Sequence, residues 1–474
     1  MIRIIPPAID PRYRYGRVKA MLLEGYAVKL KILAVLTPIL AAVLCMGAPA
    51  AAVRAEELTL KGCLEKALAD NPQIAEAELG RQAGEAGIDS ARGNQWPRLA
   101  AELNYTRRQD PVPFIPAQSI TIPAHFSDEF AAWTGVLTLP LYQGGRIAAG
   151  ITLARVRRDL AGLALSQTRN DLIANTINIY NKLLQLQQLT LASRASVTAL
   201  EEQQKNAGLL LDLGRMAKVD LLKVTVQLAN ERQRLLSLEE AVATTGATLR
   251  SLMGVNPAAG HGPDSGSLIL QPPPADGMAL PEAAWDFGDK QPYTNRPEYR
   301  TALKAAEEAG INRAIAYGKL LPSVGVAGGY MDQYGADPWY SEANWFFGLQ
   351  LSMPLFDRPL HADLAKERIL QEKAAAHLRT VENQLRLEVE TARASLRESG
   401  GRVEAAERAI EQAHESFRIE QQKYSTGAGV MSDLLLAQAA DMTAAANLSQ
   451  ARFDHAAAWV AWRRATGTLE DYLQ

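Results

Sequence analysis

The chain writes one pattern twice. Asn71-Pro72, Pro97 and Tyr105 recur as Arg296-Pro297, Pro322 and Tyr330, each 225 positions later. Leu137-Thr138-Leu139-Pro140-Leu141 returns as Leu351-Ser352-Met353-Pro354-Leu355 after 214 positions. Gly214, Asp220, Leu221 and Leu222 return as Gly427, Asp433, Leu434 and Leu435 after 213. A repeat of this length is a duplicated architectural unit. Neither copy carries the means to bury itself alone, so the duplication predicts an assembly.

Residues 1–55 read as an export signal. They carry a net +6, with Lys29 and Lys31 ahead of an apolar run from Ile32 to Gly47 and small residues up to Ala55. A basic flank, a short apolar core and small residues before the cut are signal-peptide features. The run contains Pro38 and is short for a membrane span. A retained N-terminal anchor is the alternative, and Met21 is a second candidate start. The formal charge of the whole chain is −2, so the remainder carries −8. Without a basic block, nucleic acid is not the expected partner. Cys45 leaves with the signal, and Cys63 alone cannot form an internal disulfide.

The rest divides into a first unit over 56–255, a connector over 256–293 rich in proline and glycine, and a second unit over 294–474. In the first unit a helix over 60–92 is interrupted at Asn71-Pro72, and in the second a helix spans about 297–318; each leads to two alternating segments, predicted as strands of about 9–11 residues. The first hairpin spans 97–142, with 109–123 read as a four-proline loop, and the second spans 322–356. Long helices are predicted over 145–211, 218–253, 360–424 and 431–466. The first is about 100 Å long and carries two parallel apolar stripes. One is Ile173, Ile177, Tyr180, Leu184 and Leu191; the other is Leu172, Ile179, Leu183 and Leu186. A two-stranded coil needs one seam; two seams fit a stave flanked on both sides. Aromatics make up only 6 % of the chain, which suits such a helical body.

Strands of this length cross a bilayer when tilted. Trp96, Tyr105, Trp133, Tyr142, Tyr330, Trp345 and Phe356 cluster near strand ends, as membrane-interface aromatics do. A soluble sheet with one buried face is the competing reading. In lipid, four strands cannot close and open edges are not tolerated. Three copies would give twelve strands and a lumen, for which Thr134, Thr138, Gly325, Ala327, Gly348, Gln350 and Ser352 supply a small or polar inner face.

The chain thereby resembles the TolC-like outer-membrane efflux protein (OEP) family. The residues that carry the resemblance are Leu58-Thr59-Leu60 with Ala67-Leu68-Ala69-Asp70-Asn71-Pro72, the turn Leu139-Pro140-Leu141-Tyr142-Gln143-Gly144-Gly145-Arg146, and Gly-x5-Asp-Leu-Leu at 214–222 and 427–435. Asp357-Arg358-Pro359 departs from the Gly-Gly turn in the second unit. The resemblance implies a homotrimer, mainly α, with four strands per chain in a shared 12-stranded β-barrel continued by a long α-helical barrel. It implies an outer-membrane exit duct with a large periplasmic portion, for tripartite efflux or type I secretion, fed by an inner-membrane pump through a periplasmic adaptor. A periplasmic coiled-coil adaptor is the alternative.

The helix tips are the expected functional site. The resemblance implies adaptor contact there, at Leu213, Gly214, Met216, Asp220, Leu221, Leu222, Gly427, Asp433, Leu434 and Leu435. Asp220 and Asp433 are the candidate gate, with Leu436 standing where a second acidic residue of the constriction would be. Helix capping is the plainer role for both carboxylates. The six histidines are scattered, no pair has metal spacing, and no nucleophile–base arrangement stands out. No enzyme activity, cofactor or metal is therefore expected.

Overall fold

The computed structural model describes residues 57–115, 125–255, 269–270, 291–335 and 341–470. The export signal and most of the connector lie outside them. In chain order the elements are β1 (Glu57–Leu58), α1 (Leu60–Asp70), α2 (Pro72–Gly93), β2 (Arg98–Ile115), β3 (His125–Gln143), α3 (Arg146–Asp212) and α4 (Lys218–Leu252). Then follow β4 (Ile269–Leu270), a 3-10 turn (Pro292–Asn295), α5 (Pro297–Gly318), β5 (Ser323–Gly335), β6 (Ser341–Ser352), α6 (Arg358–Ser425) and α7 (Met431–Ala465).

One antiparallel sheet takes the four long strands in the order β2-β3-β5-β6. Its register sorts the side chains cleanly by face. The rows Leu99–Leu137–Gly328–Phe347 and Ala101–Gly135–Tyr330–Trp345, with the partners Leu139–Val326–Leu349, make one apolar face. The alternate rows make the other, for example Arg98–Thr138–Ala327–Gly348. All seven residues expected on the inner face fall on this second side. The strands are longer than the expected 9–11 residues: β2 has 18, β3 has 19, β5 has 13 and β6 has 12. Much of the four-proline stretch, read as a loop, continues the ladder as far as Ile115. Register shifts between Arg107 and Val112, and between Pro113 and Ile115, let Pro111 and Pro113 sit in it. A bulge tolerates the missing donor that a regular ladder would not.

The helices continue this order as a wall. Near the sheet, α3 lies between α2 and α5, and α6 flanks α5; farther away α3 lies between α4 and α7, with α6 beyond α7. That two-sided packing is what two stripes require. Leu172, Ile173, Ile177, Tyr180, Leu183 and Leu186 are buried, Ile179 and Leu184 pack against the core that holds Ile173, Ile177, Tyr180 and Leu183, and Leu191 is exposed.

The principal core sits at mid-length of α3, where Tyr180 belongs to one buried cluster with Leu64, Cys63, Leu249, Val389, Trp459 and Val460. β1 and β4 close it through a short parallel pair, Glu57–Ile269 and Leu58–Leu270, and the Tyr180 hydroxyl donates to the Leu58 carbonyl at 3.0 Å. This return of the connector to the N-terminal strand is too short to leave a periodic signal.

Pro72 and Pro297 start helices at the first position, where the missing N–H costs nothing. Asn71 accepts from Gln73 N at 2.8 Å and donates to the Leu252 carbonyl at 2.8 Å, tying the kink to the end of α4. In the second unit the buried Arg296 instead pairs with Glu298 at 2.9 Å and Glu388 at 2.7 Å. Where the first unit enters α3 through Gly144-Gly145, the second caps α6 with Asp357, which accepts from Leu360 N at 3.3 Å. A side-chain cap replaces the glycine turn.

Candidate functional site

Two surfaces carry the expected site residues: the sheet's apolar face and the helix tips. On the sheet, Tyr105, Trp133, Tyr330 and Trp345 gather toward the hairpin end, and Trp133 and Tyr330 touch with ring centroids 5.2 Å apart. Trp96, Tyr142 and Phe356 mark the helix end. Trp96 to Tyr105 and Trp133 to Tyr142 are each nine residues apart. Nine residues of strand span about 30 Å, or about 23 Å of height at a tilt of ~40°. That matches the apolar band of about 25 Å in membrane barrels. The surface between is apolar and open: Leu99 is 78 % exposed, Phe347 74 % and Leu349 70 %. Beyond the band the first hairpin turns polar, with Arg107 paired to Glu129 at 3.4 Å, which explains why its strands outrun the expected length.

Both tips reverse by the same hydrogen bonds. Gly214 N donates to Leu211 O and Arg215 N to Leu210 O; Gly427 N donates to Tyr424 O and Ala428 N to Lys423 O. This is the Schellman motif, which needs a left-handed residue at its corner, and Gly214 and Gly427 have φ of +69° and +79°. The motif recurs at the far ends of α4 and α7, at Gly254 and Gly467. These are also 213 apart, a pair that was present in the sequence but hidden among other glycines. A Cβ on Gly254 would lie 2.3 Å from the Asp70 carbonyl oxygen, so this corner fixes the first kink as well.

Asp220 and Asp433 lie in the first turns of α4 and α7, but the N-caps are Ala217 and Val430, which make no side-chain cap bond. The carboxylates therefore face the helix dipole without capping. Asp220 pairs with Lys223 at 3.1 Å, while Asp433 is exposed.

Between the hairpins, Val224, Met431 and Leu434 form a buried cluster, with Met216, Phe417, Tyr424 and Leu435 packed against it. Leu434, 6 % exposed, is thus held inside the chain, and Met216 and Leu435 also serve the seam between tips. Leu221 is half-buried. The tips present Leu213 and Leu222, together with Val219, Val430 and Leu436, outward. Of these, sequence reasoning missed Val219 and Val430 as surface features, because alternation near a turn does not reveal which side the neighbouring hairpin covers. It also missed Tyr424. Its hydroxyl is pushed above the usual tyrosine range by burial and then by the negative charge of Asp220, which places Asp220 of the first hairpin beside the second.

Among the described residues no group of His, Cys, Asp and Glu is placed to hold a metal, and no helix is long and apolar enough to cross a membrane.

The comparisons agree with this geometry. The family model for outer membrane efflux protein matches residues 63–255 and 291–468. Among curated proteins no sequence match is found. The solved structure of the outer membrane protein VceC from Vibrio cholerae superposes with a TM-score of 0.71 at 18 % identity, covering 86 % of this chain and 96 % of that one. The Campylobacter jejuni CmeC outer membrane channel gives 0.73 at 13 % identity, over 86 % and 85 %. The open state of the Neisseria gonorrhoeae MtrE outer membrane channel gives 0.66 at 17 % identity, over 89 % and 94 %.

Proposed function

The chain belongs to the outer membrane efflux protein family and is an outer-membrane exit duct, and from that premise we propose that three copies close into one continuous channel. Twelve strands form the barrel and twelve helical staves continue it through the periplasm. An inner-membrane pump, joined by a periplasmic adaptor at the helix tips, supplies the cargo. The family is a class of transport channels, and the proposed action is passage without chemistry.

The observation that supports this reading is the open sheet. Its apolar face has the height of a bilayer core between two aromatic belts, yet β2 and β6 both end it as unpaired edges. An edge in lipid leaves backbone groups unsatisfied at several kcal/mol each, so β6 of one copy pairs with β2 of the next. The helices obey the same order, leaving α6 at one side and α2 or α4 at the other. A contact between two unlike edges repeats around a ring.

At the tips, the exposed Leu213, Leu222, Gly214 and Gly427, with Asp220 and Asp433, form the adaptor-facing surface. The two carboxylates give three-fold rings at the entrance and are the proposed gate. A soluble coiled-coil adaptor has no use for a bilayer-high apolar face.

Membrane fractionation coupled to an export assay tests the proposal. We expect the protein in the detergent-dependent outer-membrane fraction, with export lost on its deletion. A pool released by salt alone, with export unaffected, would contradict it.

A further inference from the structure

We propose that the channel carries a collar of guanidinium groups, Arg98 and Arg146 from each copy, at the junction of barrel and tunnel, and that this collar favours anionic solutes. The inference rests on the trimeric duct proposed above and adds a preference of charge.

A concavity of about 440 Å³ opens on the sheet's polar face just where α3 begins. Thr138, Gln143, Ser323 and Gln350 line it together with the two arginines. It lies beside the point where β3 breaks register, between Pro140 and Tyr142, the kind of irregularity at which a strand bends. Arg98 is placed on the polar face by its row with Thr138, Ala327 and Gly348. Its Nη2 donates to the Asn94 side-chain oxygen. Arg146 Nε donates to the Gln143 carbonyl at 3.0 Å, and its stem runs against Gly318, where an added Cβ would lie 2.8 Å from Arg146 Cγ. Both side chains are thus aimed by neutral partners.

No Asp or Glu is among the described residues that line the concavity. Glu102, the next charged residue of β2 on the same face, is four residues away, about 13 Å along the strand. The collar therefore holds two positive charges per copy, six in the trimer, without a carboxylate among its lining residues.

Size decides whether such a collar matters. Twelve strands ~4.8 Å apart and tilted ~40° give a wall radius of about 12 Å. Guanidinium groups reaching inward from that wall lie closer to the axis than the Debye length of about 10 Å at 0.1 M salt. Their field therefore spans the lumen and raises the local concentration of anions.

The test is the reversal potential of purified channels in planar lipid bilayers under a potassium chloride gradient. The wild type is compared with Arg98→Gln/Arg146→Gln and with Arg98→Lys/Arg146→Lys. We expect the glutamine pair to shift the reversal potential toward that of potassium, and the lysine pair to keep the wild-type value. The shift should shrink at high salt. An unchanged reversal potential in conducting glutamine channels overturns the collar and leaves the duct standing. Wild-type protein that forms no channel and no trimer instead overturns the duct. If the glutamine pair fails to assemble, the single Arg98→Gln variant decides in the same way, since Arg98 is exposed.

Discussion

At Gly427 the chain turns with φ of +79°, a conformation that costs a side-chained residue about 1–2 kcal/mol. Gly427→Ala should therefore be tolerated at about that cost, whereas Gly427→Pro also removes the N–H that closes the turn on Tyr424 O. Trimer yield should survive the proline variant while export is lost, because the damage is confined to the tip. Asp433→Arg should act likewise, inverting an exposed charge beside the helix dipole. Normal export in both variants would remove the tips from the account. A second residue-scale outcome concerns Cys63, which is fully buried, its thiol pushed up to about 11 by burial, against a smaller opposing effect of Lys66. Maleimide should not label it in the native protein and should label it after denaturation. Fast native labelling would mean that the mid-length core is open.

At the scale of elements, the sheet divides its faces so strictly that one position decides a substitution's effect. Leu137 lies halfway between Trp133 and Tyr142 on the apolar face, and Leu137→Arg should cost about 2–4 kcal/mol of barrel stability. Thr134→Arg, on the opposite face, should cost much less. Equal loss of heat-resistant trimer in both would contradict the assignment of faces. The kink of the second unit gives a pH dependence. Burial raises the Glu298 carboxyl, but the Arg296 hydrogen bonds, a backbone hydrogen bond and the positive charges of Arg296 and Arg464 together outweigh it and hold the group below the usual carboxylate range. A lowered folded value means the contribution is present above the ordinary carboxylate value of 4.5 and is lost as pH falls through the lowered one. As pH falls below that ordinary value, melting temperature should drop more steeply in the wild type than in Glu298→Gln. At neutral pH, replacing both Glu298 and Glu388 by Gln strands the buried Arg296 and should cost about 3–5 kcal/mol. The faces and stripes were legible because alternation by two and spacing by three and four are set by backbone geometry. The strand ends were not, because prolines that forbid a regular ladder are accepted at a bulge. The seam at Met216 and Leu434 was not either, because which side of a tip is covered depends on a hairpin more than 200 residues away in the chain.

For the whole molecule, the repeat offsets now have physical counterparts. The steady 213–214 runs from the sheet through both ends of the long hairpins, Gly214 with Gly427 and Gly254 with Gly467. Staves of unequal length could not share one wall. The change from 225 falls at the hairpin ends, beyond the apolar band, where length is free to vary. A single chain is a four-strand, four-stave segment with unlike edges, and closure by three copies is the claim on which the lumen, the entrance rings and the arginine collar all depend. Native mass spectrometry of the protein extracted from outer membranes measures that copy number directly. We expect the mass of three mature chains; a predominant monomer, dimer or tetramer would contradict closure by three copies.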